Sequence, residues 1–162
     1  EKMAIRLRLD STLIQKLKVA GLMHDIGKIG IPDAILDKPG KLDDNEFILI
    51  QKHAESGYKI LSAANEFSEI ANYILAHHER WDGKGYPKGL KETEIPIYAR
   101  IISIADAYDA MTSDRAYRKG LSVDAAMSEL QKHSVRQFDP YLVKIFTEML
   151  GKDKSNPSEK FS

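Results

Sequence analysis

Residues 43–61, DDNEFILIQKHAESGYKIL, decide the fold class. Asp43 and Glu46 stand at the spacing of a capping box, and Leu42 with Phe47 is placed to form a hydrophobic staple, so a helix begins here. Phe47, Ile50, Ala54, Gly57 and Leu61 then recur at spacings of 3-4-3-4, which puts them on one core-facing stripe. His53 lies beside that stripe.

The helical pattern extends in both directions. Upstream, Leu13, Leu17 and Ala20 recur at helical spacing behind Asp10 or Ser11 as N-cap, and the run leads into His24-Asp25. Gly27, Gly30, Pro32, Pro39 and Gly40 make residues 27–42 a loop. Downstream, a helix over about 66–78 ends on His77-His78, and glycines and a proline make 79–95 a second loop. Pro96 suits the first turn of a helix over about 96–113, which is apolar on much of its circumference yet carries Asp106 and Asp109. Ser122 and Asp139-Pro140 start shorter helices over about 123–133 and 140–150, and a polar tail follows from Lys152. With no strand pattern and no repeat, the expectation is an all-α bundle.

A chain of 162 residues with 43% apolar content suits one compact domain. The 24 basic and 24 acidic residues balance, so no bulk field marks a duplex nucleic acid or an anionic membrane as partner. The chain has no cysteine, which excludes disulfides and thiolate metal sites and fits the cytoplasm. No apolar run is long enough to span a bilayer, and no signal peptide is visible. Glu1-Lys2-Met3 already reads as helical, as if the sequence were a piece of something longer.

Chemistry concentrates at the helix ends. His24-Asp25, His53, His77-His78 and Asp106 each have an ordinary explanation: a satisfied core histidine, a chance dipeptide, a polar helix end, or an ion pair of Asp106 with Arg100 or Arg115. Taken together they argue for a metal centre, because Asp106 in so apolar a helix is costly without a cation partner. Mixed imidazole and carboxylate ligands suit transition ions rather than magnesium or calcium. A carboxylate such as Asp25 is able to bridge two ions, which can then clamp both the attacking and the leaving oxygen of a phosphodiester. Lys28, just past His24-Asp25, is placed to meet a phosphate oxygen, and Arg115 and Arg118 to clamp a phosphate or stack on a base. His133, on a polar helix, reads as surface or structural.

The runs HDIGKIGIPDAILDKPGKL (24–42), HHERWDGKGYPKGL (77–90) and ARIISIADAYDAMTSDRAYR (99–118), with His53 between and QFDP at 137–140, resemble the HD-GYP family. That family is a branch of the HD-domain metal phosphohydrolases. The resemblance implies an HD-domain helical bundle over 1–151, with 152–162 as tail, and hydrolysis of cyclic di-GMP to pGpG and in some members on to GMP. It implies a bi- or trinuclear centre, most often of iron or manganese, with His24, Asp25 (bridging), His53, His77, His78 and Asp106 as ligands. Asp25 and Lys28 become the catalytic residues, and Lys28, Tyr86, Arg115 and Arg118 the substrate contacts. It also implies docking of GGDEF-type partner proteins at the GYP loop and an upstream sensory or receiver module.

The same resemblance places the family's first helix before Glu1, with one further histidine ligand and, in trinuclear members, a glutamate. Glu92 and Val135 stand where the family commonly has glycine, and Ala116 where it has proline. The expected reaction is attack by metal-bound hydroxide on phosphorus, in line with the departing 3′ oxygen. Two other readings keep the fold: a degenerate module that binds cyclic di-GMP or docks a partner, and a phosphohydrolase for another nucleotide.

Overall fold

The computed structural model describes residues 1–114 and 119–155, the last four as backbone only. Its helices are α1 (Lys2–Arg6), α2 (Ser11–Met23), α3 (Asp33–Leu36), α4 (Asp44–Ser62), α5 (Ser68–Leu75), α6 (Ile97–Thr112), α7 (Val123–Lys132) and α8 (Pro140–Ser155). Short 3-10 turns occupy Ile26–Gly30, Asn65–Phe67 and Glu92–Glu94. Among the described residues there is no strand, only an isolated bridge between Ser134 and Phe138. The bundle is all-α, and none of its described helices is long and apolar enough to cross a membrane.

Local chemistry explains where most helices start. Asp10 rather than Ser11 caps α2, its carboxylate accepting the Thr12 amide at 2.8 Å. At α4 the capping box is complete: Asp43 accepts from the Glu46 amide at 2.9 Å and Glu46 from the Asp43 amide at 2.8 Å. Ser122 caps α7, and Asp139 accepts the amides of Tyr141 and Leu142 at the start of α8.

Packing follows the apolar faces. Leu17 and Ala20 of α2, Ile70 and Ile74 of α5, Ile101 and Ile104 of α6, and Leu142 and Phe146 of α8 share one core. α5 is wedged against α2 and α4, while α6 contacts α2, α7 and α8. The 3-10 turn Ile26–Gly30 lies flat on α4. A Cβ at Gly27 would sit 1.9 Å from the His53 carbonyl oxygen and 2.5 Å from the Gly57 amide nitrogen. Only a residue without a side chain lets the two backbones approach this closely.

Several expectations need correction. Ala54, Gly57 and Leu61 are buried as the α4 stripe requires, but Phe47 is 49% exposed, because the first turns of α4, with Ile48 and Leu49 also exposed, project past the core. α5 stops at Leu75, so His77 and His78 lie beyond the helix, in successive turns. Consecutive residues of a helix point about 100° apart, and leaving the helix frees both rings to face one space. The first loop holds a 3-10 turn and α3, and Pro96 is the N-cap of α6 rather than its first residue. α8 continues through Lys152 to Ser155, where a polar tail was expected, and the remainder of that tail lies outside the described residues.

Glu92 and Val135 adopt left-handed backbone, with φ of 52° and 62°. These are the two positions at which the family resemblance expects glycine, so the departures carry strain, most of all at β-branched Val135. Replacing Val135 by glycine is expected to raise stability by about 0.5–1 kcal/mol, relief of strain exceeding the added chain entropy. Gly27→Ala is expected to cost about 3 kcal/mol, since the clash is with backbone that no rotamer change relieves. Urea denaturation of the two variants checks both; an unchanged midpoint for Gly27→Ala contradicts the close approach.

Candidate metal centre

Four elements bring the expected ligands together. His24 and Asp25 follow the end of α2, His53 is in the middle of α4, His77 and His78 follow α5, and Asp106 is on α6. His53 and His77 are almost completely buried, at 1% and 0% exposure. Ligand nitrogens of His53, His77 and His78 all lie within 4.8 Å of one another.

Three rings are held in the same way. Nδ1 of His24, His53 and His77 donates to the carbonyl three residues earlier, of Gly21, Ile50 and Ile74 respectively. A carbonyl only accepts, so Nδ1 carries the hydrogen; His53 and His77, kept neutral by burial, present their Nε2 lone pairs inward, and His24 does so once it is deprotonated. His53 Nε2 and His77 Nε2 face each other at 3.5 Å. Asp25 lies between two histidines, with Oδ2 3.6 Å from His24 Nε2 and Oδ1 3.7 Å from His53 Nε2. Asp106 Oδ1 is 3.6 Å from His24 Nε2. Two ligands each about 2.1 Å from one ion are separated by roughly 3–3.5 Å, so this spacing suits atoms that flank a shared cation.

The electrostatics agree with that fit. Burial, reinforced by the neighbouring imidazoles, lowers His77 to about 4 and His78 to about 2. Burial also lowers His53. The Asp106 carboxylate raises His24 against the effect of burial, and His24 in turn lowers Asp106. The pocket thus collects lone pairs and carboxylates while its buried imidazoles refuse protons. A metal cation satisfies that donor set, and nitrogen with oxygen donors suits a transition ion. Asp106 itself is 37% exposed at the side chain, so its apolar helix does not bury it as expected; its convergence with His24 is what makes it a candidate ligand. A cleft of about 440 Å³, walled by Leu17, Leu22, Ile101 and Ile102, opens beside His24 and Asp106.

Lys28 reaches the centre, its Nζ 2.6 Å from Asp25 Oδ2. Tyr86 stacks on the His78 ring, centroids 4.9 Å apart and planes 26° from parallel. Burial, with the nearby charges of Asp25 and Asp106, pushes its phenol well above the usual range, so it stays neutral. Arg115 and Arg118 lie outside the described residues, as does Ala116. His133 caps the end of α7 and faces Glu129, away from the cluster.

The framework behind Tyr86 uses residues that spacing did not single out. Buried Glu79 accepts the amides of Lys88 at 2.7 Å and Leu90 at 3.0 Å. Gly85 presses on the backbone of 78–80, where a Cβ would come within 2.6 Å of three backbone atoms. Arg100 pairs with Asp139 at 2.6 Å and sits over Trp81, rather than meeting Asp106. The amides of Trp81 and Asp82 donate to the carbonyls of Gln137 and Arg136. The sequence carried these residues inside the matching runs HHERWDGKGYPKGL and QFDP, but nothing in their spacing assigned a role to Glu79.

The HD-domain family profile matches residues 1–142. The chain is 41% identical over 150 residues to a cyclic di-GMP phosphodiesterase of Thermotoga maritima, covering 91% of this chain and 41% of that protein. It is 42% identical over 142 residues to a cyclic di-GMP phosphodiesterase response regulator of Xanthomonas campestris, covering 86% and 38%. A 3′3′-cGAMP-specific phosphodiesterase of Vibrio cholerae is 41% identical over 150 residues, covering 91% and 29%. The chain therefore spans less than half the length of these relatives. Its fold is shared by a cyclic GMP-AMP phosphodiesterase crystal structure from Vibrio cholerae, with a TM-score of 0.73 at 21% identity over 96% of this chain and 42% of that one. By sequence match and by fold, the chain belongs to the HD-domain family, in its HD-GYP branch.

Proposed function

We propose that this chain is the catalytic domain of a cytoplasmic, metal-dependent phosphodiesterase that hydrolyses cyclic di-GMP to pGpG, with GMP as the alternative final product. The observation that carries the reading is Asp25, whose two oxygens face His24 on one side and His53 on the other. That placement suits a carboxylate bridging two ions, with His77, His78 and Asp106 completing the set. Two or three iron or manganese ions fit the nitrogen and oxygen donors. When bound, such ions supply Lewis acidity and an acidified water.

The chain's own groups do the rest. The i−3 carbonyls fix the imidazoles before substrate arrives, so no reorganisation is needed in the reaction. Lys28, already on Asp25, is placed to meet a non-bridging phosphate oxygen as negative charge builds there. Tyr86, neutral and held on His78, lines the substrate pocket beside the cluster. Arg115 and Arg118 are assigned to the second phosphate or a guanine by resemblance alone. Relatives named for cyclic di-GMP support that substrate, and those named for 3′3′-cGAMP make it the competitor to compare. The response-regulator relative supports a role as output behind a receiver or sensory module. Docking of GGDEF-type partners at the GYP loop belongs to the same reading.

The deciding assay is turnover of cyclic di-GMP, with 3′3′-cGAMP alongside, under anaerobic iron or manganese. Metal uptake without turnover of either supports the degenerate binding module instead. Asp25→Ala is expected to lose both bound metal and turnover; elemental analysis and product chromatography measure the two, and full activity in this variant contradicts the assignment. Lys28→Met is expected to keep its metal and lose about 10²–10³-fold in kcat.

Acid destabilises the metal-free protein on this reading. Below pH 6.5 unfolded His53, His77 and His78 take up protons that their folded counterparts refuse, so the unfolded state binds more protons and stability falls from pH 6.5 toward 4. His24 acts oppositely: its stabilisation is full below pH 6.5 and is lost as pH rises through its raised value. Three groups against one set the sign. The urea midpoint of metal-free protein should drop between pH 6.5 and 4.5, and a rise over that interval contradicts the burial of the cluster.

A further inference from the structure

From the metal centre outward, three rings stand in a row. His78 carries Tyr86 stacked at 4.9 Å, and the rings of Tyr86 and Phe47 meet in a T-shaped pair at 6.5 Å and 81°. The inner ring belongs to the cluster that meets phosphate, whereas Phe47 is half in solvent. Its position on the helix stripe calls for burial, yet no core covers it. A large apolar ring left open beside a polar site is the surface on which a nucleobase stacks, since every base has a π-face and stacking needs no fixed hydrogen-bond pattern. In a cyclic dinucleotide a base is joined to the phosphate through a single sugar, so the purine of a diester held at the cluster stays within one nucleotide's length of it, the scale of this row.

We infer that Phe47 is a substrate-positioning residue whose exposed ring, with Tyr86, forms an aromatic platform for one purine base of the cyclic dinucleotide. The inference rests on the phosphodiesterase reading and deepens it. Stacking of this kind acts on any purine, so the platform contributes affinity and orientation and leaves the choice between guanine and adenine to other contacts.

The test uses the full metal-loaded chain. Phe47→Ala should raise KM for cyclic di-GMP about tenfold or more while kcat stays within about twofold, the pattern of lost uniform binding. The ratio of kcat/KM for cyclic di-GMP to that for bis(p-nitrophenyl) phosphate, a diester without bases, should fall by the same factor. Phe47→Tyr should restore the wild-type values. Phe47→Trp adds a fluorophore to a chain whose single tryptophan is Trp81, and cyclic di-GMP should quench the new emission. An unchanged KM in Phe47→Ala overturns the inference, and so does an equal loss on both substrates, which would mean a disturbed metal site. Binding without cleavage in the wild type would sink the hydrolase reading alone; the tenfold difference in Kd between wild type and Phe47→Ala would then decide the platform. Absence of binding overturns both.

Discussion

The contact of Gly27 with α4 is the constraint from which the metal centre follows. The 3-10 turn after His24-Asp25 touches α4 backbone to backbone, at the His53 carbonyl and the Gly57 amide. That approach puts Asp25 on the same level as His53, so one carboxylate can face histidines from two elements. A layer of side chains between turn and helix would separate them by several ångströms, since side-chain packing holds backbones well apart. Gly57 on the other partner is close-packed too, though less severely, with the Ile74 side chain of α5 3.2 Å from a Cβ built there. The glycines of the HDIG turn and of α4 therefore bring α2, α4 and α5 to one point, which is where the histidine cluster lies.

What assembles there is unfavourable on its own terms. Two imidazole lone pairs meet at 3.5 Å, and burial denies these rings the protons that would relieve the contact. Such an arrangement contributes nothing to stability until a cation enters, and it persists because the surrounding core over-determines it. Rigidity then has a purpose, because ligands already held by i−3 carbonyls need not be ordered at the moment of binding. Site and core are thus coupled in one direction: the core holds the site in a geometry that the site does not favour.

Much of this was legible in the sequence because it is written in local chemistry. The α4 capping box needs only Asp43 and Glu46, and both bonds form. The candidate ligand set followed from residue types at helix ends, sharpened by the HD-GYP resemblance, and the side chains of His24, Asp25, His53, His77, His78 and Asp106 do converge. Where the reading fell short, the missing information was about the other side of a contact. The stripe through Phe47 states which way that ring points, but periodicity has no knowledge of where the opposing core ends. The same holds for Asp106, on an apolar helix yet beside an open cleft. For His77 and His78, helix-end signals locate a boundary only to within a few residues, and here the helix stops before both.

The GYP loop shows how a long irregular segment can be as well positioned as a helix. Glu79 closes it from within by accepting two of its amides, and Trp81 and Asp82 tie it to the QFDP turn, itself anchored by Asp139 to Arg100. Two of the three left-handed non-glycine residues among those described sit in these ties: the Glu92 amide donates to the Trp81 carbonyl, and the Val135 amide donates to that of Phe138. A left-handed residue other than glycine costs about 1–2 kcal/mol, and a loop free to relax would shed it. That the strain is kept implies that the bonds around it outweigh it. These bonds hold the loop in place, and Tyr86 is delivered onto His78 by residues that lie outside the histidine cluster.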